Sequence, residues 1–571
     1  MEPVTGAAIV RRPVPDASRA LIEAGVAPVL ARVYAARGIR SAAELDHALA
    51  RLPAPASLKG IDAAAARLAR AIAERERIVI VADYDADGAT ACAVGVIGLR
   101  ALGGDVDFVV PNRFEFGYGL TPEIVALAAQ RAPRLLVTVD NGIASHDGVA
   151  EAAARGIDVL ITDHHLPAAT LPAPAIIVNP NQPGCGFPSR NLAGVGVMFY
   201  VLMALRARLR EQGAFASRGE PHLGALLDLV ALGTVADVVR LDHVNRILVE
   251  QGLARLRADR ARPGVAALFR VGGRDPCRAT SIDLGFVAGP RLNAAGRMDD
   301  MSLGIRCLLA ASDAEALPLA AELDQLNRER RSVEATMHEE ALEQLADASS
   351  GIDADAYTIC IHQPQWHAGV VGIVASRLKD RFHRPAIVFA ASSDGALKGS
   401  GRSIPGFHLR DALDRVAKEA PGTVGRFGGH AFAAGVSIAP AALGAFASAF
   451  EHVARATLEP EHLARVHPSD GALAAGELTF ELARALRAGV WGQGLPAPAF
   501  DDVFEVLDQR VVGERHLRLT LAREAERFEA VMFNQAAPVP ARLRALYRPE
   551  VSEWNGLFGL ELVINHWEPL S

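Results

Sequence analysis

Three short apolar runs in this chain each end on acidic or imidazole residues. RIVIVA (77–82) leads into Asp83-Tyr84-Asp85-Ala86-Asp87-Gly88, LLVTV (135–139) into Asp140-Asn141-Gly142, and DVLIT (158–162) into Asp163-His164-His165. A longer apolar run, LLDLVALGTVA, stops at Asp237. Helix-sized segments at 90–102, 121–129 and 149–154 separate the short runs, with further strand-like runs at 106–110 and 176–178. Strands alternating with helices predict βαβ units and a parallel sheet. In such a sheet the carboxyl ends of the strands line one crevice, where ligands bind. The pattern therefore predicts that separate segments deliver Asp and His to one edge.

Carboxylates crowded in this way repel one another unless cations lie between them. Oxygen-rich sites with one or two imidazoles suit Mn²⁺ or Mg²⁺. The five cysteines are scattered with no Cys-x-x-Cys pair, so a zinc knot or disulfide scaffold is not expected. Two such ions, about 3.5–4 Å apart, would serve phosphoryl transfer by activating water and offsetting phosphate charge. Asp85, Asp87, Asp140, His164 and Asp237 are the expected metal ligands. Asp140 is the candidate bridge, since it stands alone after a central strand. His165 is expected to orient water or a phosphate oxygen, and Asp83 to be a ligand or to support the loop. Singly, Asp-Gly and Asp-Asn-Gly after a strand read equally well as turns. Four such endings with a His-His pair do not.

Elsewhere the texture changes. Residues 1–50 read as a short helical or irregular arm. Residues 312–348 form a charged, Ala- and Leu-rich stretch, opened by a possible capping box at Ser312 and Glu315 and free of Gly and Pro over its later part. It predicts one long helix. A second α/β unit starts at Tyr357, with strand YTICIH, helix GVVGIVASRL and strand AIVFA. In this unit His367-Ala368-Gly369 precedes a helix, whose first N–H groups can hold phosphate. GSGRS places flexible backbone beside one guanidinium (Arg402), and Gly428-Gly429 lets backbone approach a ligand beside His430. After about 465, runs at 504–507, 516–522 and 530–533 suggest a small β-barrel. The loop NRFEFGYGL (112–120) offers Tyr118 for base stacking beside Arg113.

The chain has 571 residues, half of them hydrophobic, enough for three or four domains. Its 59 Lys plus Arg against 66 Asp plus Glu give a net charge of -7, which argues against a bulk nucleic-acid coat but not against an enzyme with a local basic groove. No apolar run reaches the ~18 residues of a membrane span, and the first residues lack a long apolar core. A cytoplasmic protein is expected.

DYDADG, VDNG, DHH and GTVADV, in this order, resemble the four motifs of the DHH phosphoesterase superfamily. SIDLGFVAGPRLNAAGRM (281–298), WHAGVVGIVASRL (366–378), GSGRSIPGFHL (399–409) and GRFGGHAFAAGVSI (425–438) extend the likeness to its RecJ branch of single-strand-specific 5′→3′ DNA exonucleases. The resemblance spans about 75–571. It implies an α/β fold: a parallel-sheet DHH catalytic domain (51–311) after an N-terminal arm (1–50), a connecting helix (312–350), a DHH-associated phosphate-binding domain (351–460) and an OB-fold barrel (461–571). It implies that Arg297 contacts phosphate near two Mn²⁺ or Mg²⁺ ions. Further phosphate contacts fall on His367, Ser400, Arg402, Gly428, Gly429 and His430, with the strand lying between the two lobes. One departure is Val81, where many DHH phosphatases carry a metal-binding His four residues before the first ligand. The implied activity is hydrolysis of single-stranded DNA to 5′-mononucleotides in recombination and repair, alongside a single-strand DNA-binding protein and a helicase. Alternatives are a DHH phosphodiesterase for short oligonucleotides or cyclic dinucleotides, and a non-catalytic DHH scaffold.

Overall fold

The computed structural model describes residues 7–112, 116, 119–346, 355–392, 395–554 and 556–570. The chain divides into two compact units. One holds residues 11–327 and 469–565 with the last two residues. The other holds 328–468 with the first ten residues and 566–569.

In the first unit a five-stranded parallel sheet has the spatial order Asp105–Val109, Arg77–Ala82, Leu135–Val139, Asp158–Thr162, Ile176–Val178. Central strand Leu135–Val139 is buried throughout, as is Arg77–Ala82 after its first residue. Buried on both faces, these strands must be continuously apolar, which is why RIVIVA and LLVTV do not alternate. The order reverses between Arg77–Ala82 and Leu135–Val139. That reversal is the topological switch point, so a crevice opens beyond the carboxyl ends of these two strands. Asp83 and Asp140 are the next residues on them.

The helix after the first strand runs Ala86–Leu102 and begins earlier than the apolar pattern suggested, because Asp85 caps it by accepting from the Gly88 amide. The acids of the first motif thus straddle a helix N-terminus. The run preceding Asp237 is also a helix, Leu227–Ala236, buried through most of its length. Its all-round apolarity could not by itself distinguish a buried helix from a strand.

The same unit contains a closed five-stranded barrel, except for residues 566–569 at the end of its last strand in sequence. Its strands are ordered Phe500–Val512, His516–Arg523, Glu526–Met532, Leu557–Pro569 and Arg542–Trp554. The sequence suggested three of these strands, shorter than observed, and missed the last two. Phe500, Phe504 and Tyr547 fill the interior, and the Tyr547 hydroxyl donates to Asp502 at 2.6 Å.

The second unit carries a mixed sheet ordered Arg426–Gly429, Ala433–Ile438, Leu397–Arg402, Ala386–Ala391, Ile359–His362. Phe389, Phe407, Phe446 and Phe450 anchor its core. The long helix runs Asp313–Ala346 and contains Pro318. Glu315 accepts from the Ala311 amide, and the Glu315 amide donates to Ser312. The N-terminal arm contains a strand, Ala8–Arg11, paired with Val466–Ser469, rather than only helix and coil.

Candidate metal centre

Five aspartates and two histidines converge beyond the switch point. Donor atoms of Asp83, Asp85 and Asp140 lie within 4.8 Å of one another, as do those of Asp87, His164 and Asp237, and those of Asp140, His164 and His165. Asp140 belongs to two groups, the geometry expected of a bridge. His164 Nε2 is 3.0 Å from Asp140 Oδ1, 3.5 Å from Asp237 Oδ2 and 4.0 Å from Asp87 Oδ2. Yet His164 Nε2 and Asp237 Oδ2 are buried and make no hydrogen bond among the described residues. Buried polar atoms are normally paired. Acceptors facing one another across a shared point fit a cation.

Electrostatics agree. Burial and the charge of Asp237 push Asp87 up to about 7. Burial and Asp85 do the same to Asp237, also to about 7. Asp140 is raised well above the carboxylate range by burial and then by Asp87, Asp85 and Asp237. Burial lowers His164, so it stays neutral and able to donate a lone pair. The donor set is oxygen-rich with imidazole nitrogen, which suits Mn²⁺ or Mg²⁺. At the position of the departing family histidine, Val81 is buried in the sheet core, and Asp83 stands with Asp85 and Asp140 instead.

Each donor is placed by local chemistry. Asp87 is fully buried and accepts from the amides of Gly194 (2.6 Å) and Val195 (2.9 Å), the first residues of helix Gly194–Glu211. That helix start must be glycine, because a Cβ at Gly194 would sit 2.6 Å from the Cβ of Asp140. Asp140 has φ of +63°, in the left-handed region that Asp tolerates better than most residues. Asn141 Nδ2 donates to the carbonyls of Val81 and Val139, tying the two central strand ends together. Asp163 is buried and accepts from His165 Nδ1 at 2.8 Å and from the Ile143 amide at 2.9 Å. Burial works against charge on His165, but the hydrogen bond and charge of Asp163 outweigh it and raise His165 to about 9. It is an imidazolium at neutral pH. Asn179 and Asn181 donate to the carbonyls of His165 and His164, which fixes the turn.

Helix Gly289–Met298 closes the site. Asn293 Oδ1 accepts from the Ala86 amide at 2.9 Å, and Gly296 packs so tightly on Tyr84 that a Cβ would meet its carbonyl at 1.8 Å. Arg297 is the next residue, so it is set beside the Asp83–Asp87 loop.

In the other unit Ser400 and Arg402 share strand Leu397–Arg402. Arg402 donates to Ser400 Oγ at 3.2 Å and to the Gly401 carbonyl at 2.8 Å. A Cβ on Gly372, in the first turn of helix Val371–Phe382, would lie 2.8 Å from Ser400 Oγ and 3.1 Å from Arg402 Nη2. Arg402 is held in a buried setting that lowers its pKa, and it makes no ion pair among the described residues. A guanidinium without a carboxylate, facing a helix N-terminus, suits an anion. His367 stands just before that helix, where its Nδ1 accepts from the Gly369 amide at 3.1 Å. Gly428 and Gly429 lie in the hairpin beside this strand, and the His430 amide donates to the Ala433 carbonyl. Arg113 and Tyr118 lie outside the described residues. Phe116 packs, half-buried, against the sheet core.

Reading by motif missed the residues that hold the donors: Asn141, Asp163, Asn179, Asn181 and Asn293. Asn179-Pro180-Asn181 directly after a strand was the one local signal available for two of them.

Residues 77–234 match the DHH family N-terminal domain, 355–456 the DHHA1 domain and 469–566 the RecJ OB domain. A single-stranded-DNA-specific exonuclease RecJ from Dickeya dadantii is 50% identical over 553 residues, covering 95% of this chain and 96% of that protein. The Escherichia coli protein of the same name is 47% identical over 560 residues, 96% of this chain and 97% of its own length. Among solved structures, RecJ from Thermus thermophilus in complex with Mn²⁺ superimposes with a TM-score of 0.83 at 32% identity, covering 99% of this chain and 80% of that one. The same protein in complex with Mg²⁺ gives 0.77 at 29% identity, covering 99% and 79%. With donors for divalent ions at the switch point and all three domains matched, the chain belongs to the RecJ family of single-stranded-DNA-specific exonucleases.

Proposed function

We propose that the protein is a metal-dependent exonuclease that hydrolyses single-stranded DNA from its 5′ end to 5′-mononucleotides, in DNA recombination and repair. The observation that carries this reading is the cluster of Asp87, Asp140 and Asp237 around His164: the His164 Nε2 lies within 4.0 Å of all three carboxylates, whose pKa values are raised by burial and mutual repulsion. Such a cluster is costly in an empty protein and favourable around cations.

Asp85, Asp87, Asp140, His164 and Asp237 hold two Mn²⁺ or Mg²⁺ ions, with Asp83 completing the first site in place of the histidine that Val81 replaces. Bound ions supply Lewis acidity, easing proton loss from water and offsetting charge on the phosphate. The protonated His165, held by Asp163, donates to a phosphate oxygen or orients the attacking water. Arg297 takes the scissile phosphate. Ser400, Arg402, His367 and the Gly428-Gly429-His430 hairpin take a terminal phosphate. Arg113 and Tyr118 grip a nucleotide near the cut. The domain limits follow the same reading: arm 1–50, catalytic domain 51–311, connecting helix 312–350, phosphate-binding domain 351–460 and OB-fold domain 461–571. No described helix is long and apolar enough to cross a membrane. We place the protein in the cytoplasm, working with a single-strand DNA-binding protein and a helicase.

The test compares a single strand, a blunt duplex and a cyclic dinucleotide, each with Mn²⁺, Mg²⁺ or chelator. Loss of the single strand alone, and only with metal, is expected. Preferential cleavage of the cyclic dinucleotide would favour a small-substrate phosphodiesterase instead.

A further inference from the structure

Helix Gly289–Met298 meets the metal cluster along one stripe. A Cβ on Gly289 would lie 3.2 Å from the Cβ of Ala236, the residue before Asp237. Asn293 Oδ1 accepts from the amide of Ala86, which stands between Asp85 and Asp87. A Cβ on Gly296 would meet the carbonyl of Tyr84, between Asp83 and Asp85, at 1.8 Å. Positions 289, 293 and 296 follow the i, i+4, i+7 spacing of a single helix face. Each contact falls on a residue next to a carboxylate of the cluster. The two glycines let the helix come close enough for the asparagine between them to hydrogen-bond.

Arg291 lies on the other side of this helix. At about 100° per residue it is turned roughly 140–160° from each of the three positions. Its Nε and Nη2 donate to Asp324 Oδ1 at 2.9 and 2.8 Å, and its Nη1 donates to the Val287 carbonyl at 2.7 Å. Arg291 is 8% exposed and Asp324 4%. Asp324 belongs to the long helix Asp313–Ala346. Gly272 closes another side, since a Cβ there would lie 3.1 Å from Arg291 Cζ. One short helix thus stands between the metal loop and a buried ion pair on the long helix. An ion pair taken out of water gains little over an apolar pair of the same size, because desolvation offsets most of the attraction. What it fixes is register, since a guanidinium and a carboxylate meet in few geometries.

We infer that Arg291 and Asp324 are positioning residues for cleavage. Their pair fixes the register of helix Gly289–Met298 against the long helix, and that helix sets the Asp83–Asp87 loop and Asp237 for metal. Both residues act through Gly289, Asn293 and Gly296, without touching metal or substrate. The inference rests on the exonuclease reading and deepens it, extending the control of the metal geometry to a pair outside the cluster.

The test uses the full chain and the apolar double variant Arg291→Met/Asp324→Leu, which removes both charges and leaves neither unpaired. Metal-free melting should stay close to that of wild type. Affinity for Mn²⁺ by calorimetry should fall about tenfold, as for other residues that orient metal ligands from behind. With saturating Mn²⁺, kcat on an oligothymidylate should fall about 10- to 100-fold while KM changes little. Asp324→Asn keeps the shape and an acceptor, so it should fall between the double variant and wild type in both measurements. It decides the matter by itself if the double variant does not fold. Wild-type Mn²⁺ affinity and kcat in a folded double variant, or in Asp324→Asn, would overturn the positioning role and leave the exonuclease standing. Lower melting with unchanged Mn²⁺ affinity and kcat would mark the pair as structural only and overturn it equally. An inert wild-type protein would instead sink the exonuclease reading.

Discussion

Metal binding to this protein should release protons, and the release should depend on pH in a defined direction. Asp87 and Asp237 are both pushed up to about 7 and sit in one cluster. To hold a cation, both must be carboxylates. At pH 6 the pair holds roughly one to two protons that binding must expel, and at pH 8 roughly none. By linkage, the apparent affinity for Mn²⁺ should rise about 10- to 100-fold between these pH values. The stability of the metal-free protein should move the other way. A carboxyl whose folded pKa is raised binds more protons folded than unfolded. Its contribution is lost as pH climbs from about 4, the unfolded value, to about 7. Calorimetric titration with Mn²⁺ in two buffers of different ionisation enthalpy counts the protons directly. Thermal melts with chelator or Mn²⁺ at pH 6 and pH 8 give the second half. Proton release near zero at pH 6, or a metal-free protein that gains stability from pH 5 to 7, would refute this account of the cluster.

Further outcomes follow from single contacts. Asp140→Asn should abolish Mn²⁺-induced thermal stabilisation and cleavage, while the metal-free variant melts no lower than wild type, since one repelling charge is gone. Gly296→Ala should cost about 1–3 kcal/mol in urea unfolding, because the new methyl meets the Tyr84 carbonyl, and should lower cleavage further by moving the Asp83–Asp87 loop. Asn293→Ala should raise the metal concentration needed for half-maximal activity several-fold, because the Ala86 amide loses its acceptor. Arg402→Gln should reduce any preference for 5′-phosphorylated over 5′-hydroxyl strands, read as relative kcat/KM, leaving Mn²⁺ affinity by calorimetry unchanged.

The catalytic sheet and its donors were legible because both depend on local pattern. Strands buried on two faces must be apolar end to end, and a parallel sheet sends their next residues to one edge. Asp83, Asp85, Asp87, Asp140, His164 and His165 could therefore be gathered from the sequence alone. Asp237 was found for an incomplete reason: its apolar run is a buried helix, and its place in the cluster comes from packing against helix Ala86–Leu102. The supporting shell was not legible. Asn141, Asp163 and Asn293 act through hydrogen bonds to backbone tens or hundreds of residues away, and no spacing rule reports such partners. The last two barrel strands, Arg542–Trp554 and Leu557–Pro569, escaped notice because closing a barrel is a long-range pairing that no local pattern reports.

The central claim is that this metal cluster degrades single strands from the 5′ end. It is tested most directly by digesting one single-stranded oligonucleotide, labelled in parallel at its 5′ or its 3′ end, with Mn²⁺. The account predicts that the 5′ label appears at once as a mononucleotide while the 3′ label shortens gradually, and that chelator stops both. Immediate release of the 3′ label, or cleavage that survives chelation, would contradict it.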